Sequence, residues 1–301
     1  MESAISVKNL TKKYQGFKLN NISFEIPKGS IVGFVGENGA GKSTTIKAVL
    51  GLIPVEAGEI KLLGHEMKYG DKETSFKEQI GVVFDECNFP TDLKVKDIRN
   101  IMRKIYRTWE DDKFETYLNK FKLPADKKVK ELSKGMKMKL SIAAALSHDS
   151  RLLLLDEATS GLDPVIRDEI LDIFREFIED EEHSILISSH ITSDIEKVSD
   201  YVMMIHRGEL LFQESKDELL YRYGIVRGSK EQMELIPEKL VAGRMDGEFG
   251  SSVLVKDKEK LLDSAFMEQA EEVEGSRPVI DRAGVEDILL YIVKAKEKQQ
   301  K

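Results

Sequence analysis

Apolar and polar residues alternate through Ile22, Phe24 and Ile26, the spacing of a strand with one face buried. A second strand-like stretch precedes it at Ile5–Leu10, and Pro27-Lys28-Gly29 supplies a turn after it. Ile31–Val35 is a short apolar run that leads into a glycine-rich segment and a helical stretch ending near Gly51. From about residue 86 to 150 the period becomes helical. Ile98, Ile101, Met102 and Ile105 fall on one helix face, and Phe114, Tyr117, Leu118 and Phe121 on another. Three more strands are expected at Leu152–Leu155, Ile185–Ile187 and Tyr201–Ile205, with a helix near Val165–Ile178 between the first two. Strands and helices alternating at these lengths predict an α/β fold: a mainly parallel sheet with helical cover, behind an N-terminal antiparallel β segment.

Beyond about residue 220 the texture changes to scattered short strands, a helix near Lys258–Ala270 and a last helix from Val285. This predicts a small α+β C-terminal domain over 220–301, attached to a main domain over 1–219 whose helical subdomain covers about 86–150. Val285, Ile288, Leu289 and Ile292 form a stripe expected to face the core of that second domain, and Lys294–Lys301 is expected to be a frayed, solvated end.

Composition narrows the function. A chain of 301 residues with 41% hydrophobic and 33% charged residues can bury a substantial core. Its net charge of −8 weighs against a protein that coats nucleic acid, so no nucleic-acid partner is expected. The single cysteine, Cys87, permits neither an internal disulfide nor a thiolate zinc site, which fits a reducing cytosol. No run approaches the roughly 18 apolar residues that span a bilayer. If the protein works at a membrane, another chain crosses it.

The chemistry begins with Gly36-Glu37-Asn38-Gly39-Ala40-Gly41-Lys42-Ser43, which has the spacing of a P-loop. Its glycines let the backbone curl so that successive N–H groups face phosphate oxygens, and the following helix adds its positive end. Lys42 is expected to reach the β- and γ-phosphates and Ser43 to ligate Mg²⁺, with Thr44 beside it. Leu152–Leu155 ends in Asp156 and Glu157. Asp156 is assigned to the metal and Glu157 to orienting or deprotonating the attacking water. His190 follows Ile185–Ile187 and Ser188-Ser189 at the end of another strand of the same expected sheet. That position makes it a candidate contact for the γ-phosphate.

A P-loop followed by an acidic strand end also suits a kinase or a GTPase. The segment between them decides. Leu132-Ser133-Lys134-Gly135-Met136 resembles the signature motif of the ATP-binding cassette (ABC) family, Ser160-Gly161-Leu162-Asp163 its D-loop, and His190 its switch histidine. Tyr14 falls where that family stacks an aromatic on adenine. The motifs come in the family's order and cover about residues 5 to 215.

The resemblance implies a P-loop ABC ATPase core. It further implies a head-to-tail dimer, with itself or with a different cassette, in which Ser133 and Gly135 of one subunit meet the ATP of the other. Asp163 of the D-loop is carried with them as a nucleotide-binding residue. Two positions depart from the pattern. Lys134 stands where glycine is commonest, and either adds charge near the partner's phosphates or points into solvent. Asp85 takes the place of a glutamine that touches Mg²⁺ and senses the membrane subunits, so it is carried as a third metal candidate. The membrane subunit should dock after it, at roughly Glu86–Leu93.

The reading is a cytosolic Mg-ATPase, peripheral on the inner face of the membrane, that drives an integral membrane permease. The family branch suggests an exporter of drugs, lipids or peptides. The alternatives are a soluble ABC ATPase acting on nucleic acid or the ribosome, and a scaffold that binds ATP without hydrolysing it.

Overall fold

The computed structural model describes residues 2–70, 75–247 and 250–299. The chain divides into two compact units, Met1–Gln213 and Glu214–Lys301. In the first, β1 (Ser3–Tyr14) and β2 (Phe17–Pro27) form an antiparallel hairpin that sets Ile5 opposite Ile26, Val7 opposite Phe24 and Leu10 opposite Ile22. The apolar residues of both strands thus share one buried face. After β3 (Ile31–Val35) comes α1 (Lys42–Val49), which stops where Gly51 takes a left-handed φ of 65°. β4 (Ala57–Leu62) and β5 (His65–Glu66) complete an antiparallel sheet in the order β2-β1-β4-β5.

β6 (Ile80–Val83) leads into the helical region of α2 (Ile98–Ile105), α3 (Asp111–Lys120) and α4 (Lys134–Leu146). The expected faces hold in part: Ile98, Met102, Phe114 and Leu118 are buried, whereas Ile105 is exposed. Loops and single 3₁₀ turns separate these helices, so the region is less continuously helical than its apolar spacing implies.

The chain then builds β7 (Leu152–Asp156), α5 (Pro164–Phe177), β8 (Ser184–Ser189), α6 (Thr192–Val198), β9 (Tyr201–His206) and β10 (Glu209–Ser215). Asp163 caps α5 by accepting from the N–H groups of Val165 and Ile166, and Pro164 pre-sets its first turn. The strands form a six-stranded sheet in the order β10-β9-β3-β8-β7-β6. β3 pairs in parallel with β8 and β9, and β7 in parallel with β6 and β8. β3, β7 and β8 are buried along their whole length, and Phe34, Leu154 and Leu186 anchor the core with Ile46 of α1. Phe34 is fully buried, so Phe34→Ala should cost about 3–5 kcal/mol. A fall in the denaturant midpoint of the full chain checks this. The parallel register also sets the site: it lines up Val35 with Ser189 and Asp156 with Ser188, bringing three carboxyl ends to one edge.

The second unit contains α7 (Lys216–Arg222), β11 (Gly224–Gly228), α8 (Lys230–Glu234), β12 (Val241–Gly247) and β13 (Gly250–Val255). It closes with α9 (Lys258–Leu262), α10 (Phe266–Glu274), β14 (Val279–Arg282) and α11 (Val285–Gln299). Its sheet is antiparallel, in the order β12-β13-β11-β14. Val226, Val253 and Val255 pack with Met233, Leu261 and Phe266 in a core of its own.

Two expectations need correction here. The helix expected over Lys258–Ala270 is two helices. The Ser264 hydroxyl bonds back to the Leu261 carbonyl and accepts from the Phe266 N–H, which ends one helix and starts the next. α11 also continues through Gln299 instead of fraying from Lys294. Residues 300 and 301 lie outside the described residues. On α11, Val285, Ile288, Tyr291 and Val293 are buried, and Leu289 and Ile292 of the expected stripe are half-buried.

Candidate functional site

The loop from Gly36 to Gly41 joins the end of β3 to the start of α1. Two glycines are required there for different reasons. Gly41 adopts φ 118°, a left-handed backbone that other residues resist, and a Cβ on it would stand 2.6 Å from Leu19 Cδ2. Gly36 has no such φ, but its Cβ would stand 2.4 Å from the Ile205 carbonyl oxygen. Ala40 is buried beneath the loop, and its carbonyl accepts from the Gly208 N–H. The Lys42 ammonium curls back across the loop, donating to the carbonyls of Gly36 at 2.7 Å and Glu37 at 3.3 Å. It also stands 3.3 Å from Glu157 Oε1.

β7 delivers the acids. Asp156 is buried, and its Oδ1 accepts from Ser43 Oγ at 3.1 Å and from Ser188 Oγ at 2.7 Å. Glu157 then turns into a left-handed backbone with φ 54°. Ser188 holds that turn, because the Glu157 N–H donates to both the carbonyl and the hydroxyl of Ser188, at 3.1 and 3.0 Å. Glu157 Oε2 lies 2.6 Å from His190 Nδ1. A carboxylate only accepts, so Nδ1 carries the proton and Nε2 is left outside this bond. The loop after Glu157 is tied from behind. Arg167 Nη2 donates to the Leu162 carbonyl at 3.0 Å, and its Nε lies 3.7 Å from the buried carboxylate of Asp194 on α6. Burial raises the pKa of Asp194 above the usual carboxylate range.

These groups open onto a cavity of about 720 Å³. Of the residues expected to act in catalysis or to bind nucleotide or metal, Asn38, Gly39, Gly41, Lys42, Ser43, Thr44, Asp85, Glu157 and His190 line it. Gly36, Ala40 and Asp156 support its wall from behind. Tyr14 is not in the lining. It is half-exposed, with Lys12 Nζ 4.9 Å from the centre of its ring, and Gly16 and Phe17 line the cavity instead. Ser133, Gly135 and Asp163 also lie outside the lining.

Ser133 and Asp163 are engaged as helix caps, the first accepting from the Met136 N–H at 3.3 Å. Gly135 is buried so closely under α5 that a Cβ would stand 2.9 Å from Ile166 Cδ1. Their neighbours Lys134 and Ser160 do line the cavity. Sequence alone assigns no role to Ser188 or Phe17, and Ser160 enters only as part of the D-loop. The parallel register could have pointed to Ser188, since it pairs that residue with Asp156.

Ser43, Asp156 and Asp85 fit a hard divalent cation. All three offer oxygen, and Mg²⁺ is usually held by one or two protein carboxylates or hydroxyls, with phosphate and water completing its shell. No group of three or more His, Cys, Asp or Glu that could form a self-sufficient metal cage exists among the described residues.

A mainly parallel sheet with a glycine-rich phosphate loop, a Ser–Asp pair and a Glu–His pair at its strand ends defines a P-loop nucleoside triphosphatase. Residues 19–160 match the family model described as ABC transporter. The bacitracin transport ATP-binding protein BcrA of Bacillus licheniformis is 36% identical over 74% of this chain and 73% of its own length. The lantibiotic transport ATP-binding protein SrtF of Streptococcus pyogenes is 35% identical over 71% of this chain and 91% of its own. A solved ATP-binding subunit of an ABC transporter superposes with a TM-score of 0.65 at 26% identity, covering 72% of this chain and 92% of that one. The chain belongs to the ATP-binding proteins of ABC transporters, and it is an ATPase that powers such a transporter. No helix among the described residues is long and apolar enough to cross a membrane.

Proposed function

We propose that this chain is the Mg-dependent motor of an exporter whose cargo is an antimicrobial peptide or a related amphiphile. The observation that carries the reading is the meeting of Lys42, Ser43, Asp156, Glu157 and His190 in one hydrogen-bonded set at the ends of β3, β7 and β8. Lys42 binds the β- and γ-phosphates, exchanging its contacts with Glu157 and the loop carbonyls for charge-assisted bonds to phosphate oxygens. Glu157, freed on one oxygen, orients a water in line with the γ-phosphorus and takes its proton as the bond to the bridging oxygen breaks. His190 fixes the other oxygen of Glu157 through Nδ1 and meets the transferred group through Nε2. Ser43, Asp156 and Asp85 would hold Mg²⁺, which neutralises phosphate charge when bound. The adenine ring lies against the tip of the first hairpin, where Tyr14 and Phe17 are paired.

In the assembled transporter we place this chain on the cytoplasmic face, paired head-to-tail with a second cassette. Ser133 and Gly135, with Asp163 nearby, serve the partner's nucleotide there. A permease subunit docks beside the segment expected at Glu86–Leu93. A cavity of about 190 Å³ supports that location, lined by Phe84, Phe89, Met102 and Tyr106 among others. The cargo follows from the relatives named for bacitracin and lantibiotic transport.

The test is gentle affinity purification of the chain from native membranes, followed by phosphate-release assays with and without a chelator. A co-purifying polypeptide with several spans and turnover that returns on adding Mg²⁺ is the expected result. Recovery with ribosomes or nucleic acid and no membrane partner would refute the exporter reading.

A further inference from the structure

The chamber holds two ammonium groups, and only one is matched. Lys42 is paired with Glu157 and with two loop carbonyls. Lys134, at the start of α4, lines the same cavity but has no hydrogen-bond or ion-pair partner among the described residues. Its position is specific. The side chain lies over Gly161, where a Cβ would stand 2.7 Å from Nζ. The glycine, itself at φ 66°, leaves the space through which the ammonium reaches the chamber beside Ser160. Asp85 lines the same cavity, and it also lines a smaller one of about 420 Å³ together with Lys134 and Lys137. An unmatched cation in a concave site built for phosphates attracts the most negative end of whatever polyanion enters.

We propose that Lys134 is a phosphate-contacting cation whose ammonium engages the terminal phosphate of a bound nucleoside triphosphate. The proposal rests on the ATPase reading of the same chamber and adds a residue to it. Lysine at this position gives the site a charge that distinguishes tri- from diphosphate, because the diphosphate lacks the group it meets. The triphosphate has two possible sources, the P-loop of the same chain or that of a second copy facing it.

The experiment compares full-length wild type, Lys134→Gln and Lys134→Arg for kcat, for KM of ATP at low and high ionic strength, and for ADP affinity. Lys134→Gln should raise the KM for ATP about tenfold, the weight of one charge-assisted bond. It should also flatten the salt dependence and leave ADP binding close to wild type, while Lys134→Arg restores most of the loss. Wild-type KM and salt dependence in Lys134→Gln would overturn the proposal alone. A wild-type chain that neither binds nor hydrolyses ATP would overturn the ATPase reading and this proposal with it. Mixing Lys42→Ala chains with Lys134→Gln chains at sub-saturating ATP separates the sources. Turnover above the sum of the two assigns Lys134 to the second copy's nucleotide, because only then does the mixture contain one intact site. No gain assigns it to the nucleotide of its own chain.

Discussion

Glu157→Gln is expected to lower kcat by about a hundred- to ten-thousandfold while the protein still binds ATP. The substitution keeps the side chain's size and one oxygen, so His190 Nδ1 retains an acceptor and the left-handed turn held by Ser188 is undisturbed. Basicity is lost, because an amide cannot take the proton of the attacking water. The ionic contact with Lys42 is lost as well, which leaves the ammonium freer to hold phosphate. Binding and turnover should therefore separate: ATP stays bound, and dimers closed around it accumulate. Single-turnover phosphate release together with light scattering in the presence of ATP checks both halves. Unaltered turnover would remove Glu157 from the proposed mechanism.

Lys42→Ala should act at the other step and weaken ATP binding by about a hundredfold or more. Two charge-assisted bonds to phosphate are worth about 1.5–3 kcal/mol each, less what Lys42 gives up on leaving Glu157 and the two carbonyls. Removing the ammonium also leaves Glu157 facing incoming phosphate with its charge unbalanced, so repulsion adds to the loss. Lys42→Arg should not rescue. The lysine is 5% exposed in a loop shaped around a slender chain, and a planar guanidinium does not fit the ammonium's place. Calorimetric titration with ATP checks the affinity. A single cooperative thermal transition checks that the variant is still folded, so that the loss lies in the site.

Much of the frame was legible because it rests on local patterns. Continuous apolar runs at Ile31–Val35 and Leu152–Leu155, too short for buried helices and followed by turn or polar residues, read as strands of a covered sheet, and both are. Gly51 marks the end of α1 through its backbone freedom alone. The residues proposed to surround the phosphate were legible as a group for the same reason: spacing within a single loop fixes Lys42 and Ser43 relative to each other.

What pattern does not carry is contact between distant segments. Ser188 reads as a polar residue after a strand until the parallel register places it against Asp156, 32 positions away. Phe17 and Tyr14 look interchangeable in sequence, and only the hairpin's geometry puts the first in the cavity lining. Lys134 is the same kind of case, since its direction depends on a bare glycine 27 positions on. The break at Ser264 depends on a hydroxyl competing with the helix backbone, which apolar periodicity ignores.

One hydroxyl, that of Ser188, donates to Asp156 and accepts from the backbone of Glu157. The acid assigned to the metal and the acid assigned to the water are therefore not two independent inventions. A change in that hydroxyl reaches both of them. It also means that one lost oxygen atom at position 188 would loosen both acids at once while leaving the phosphate loop and the cavity standing. A descendant of that kind would keep the grip on nucleotide and give up the stroke, and so become a reader of cellular energy where its ancestor spent it.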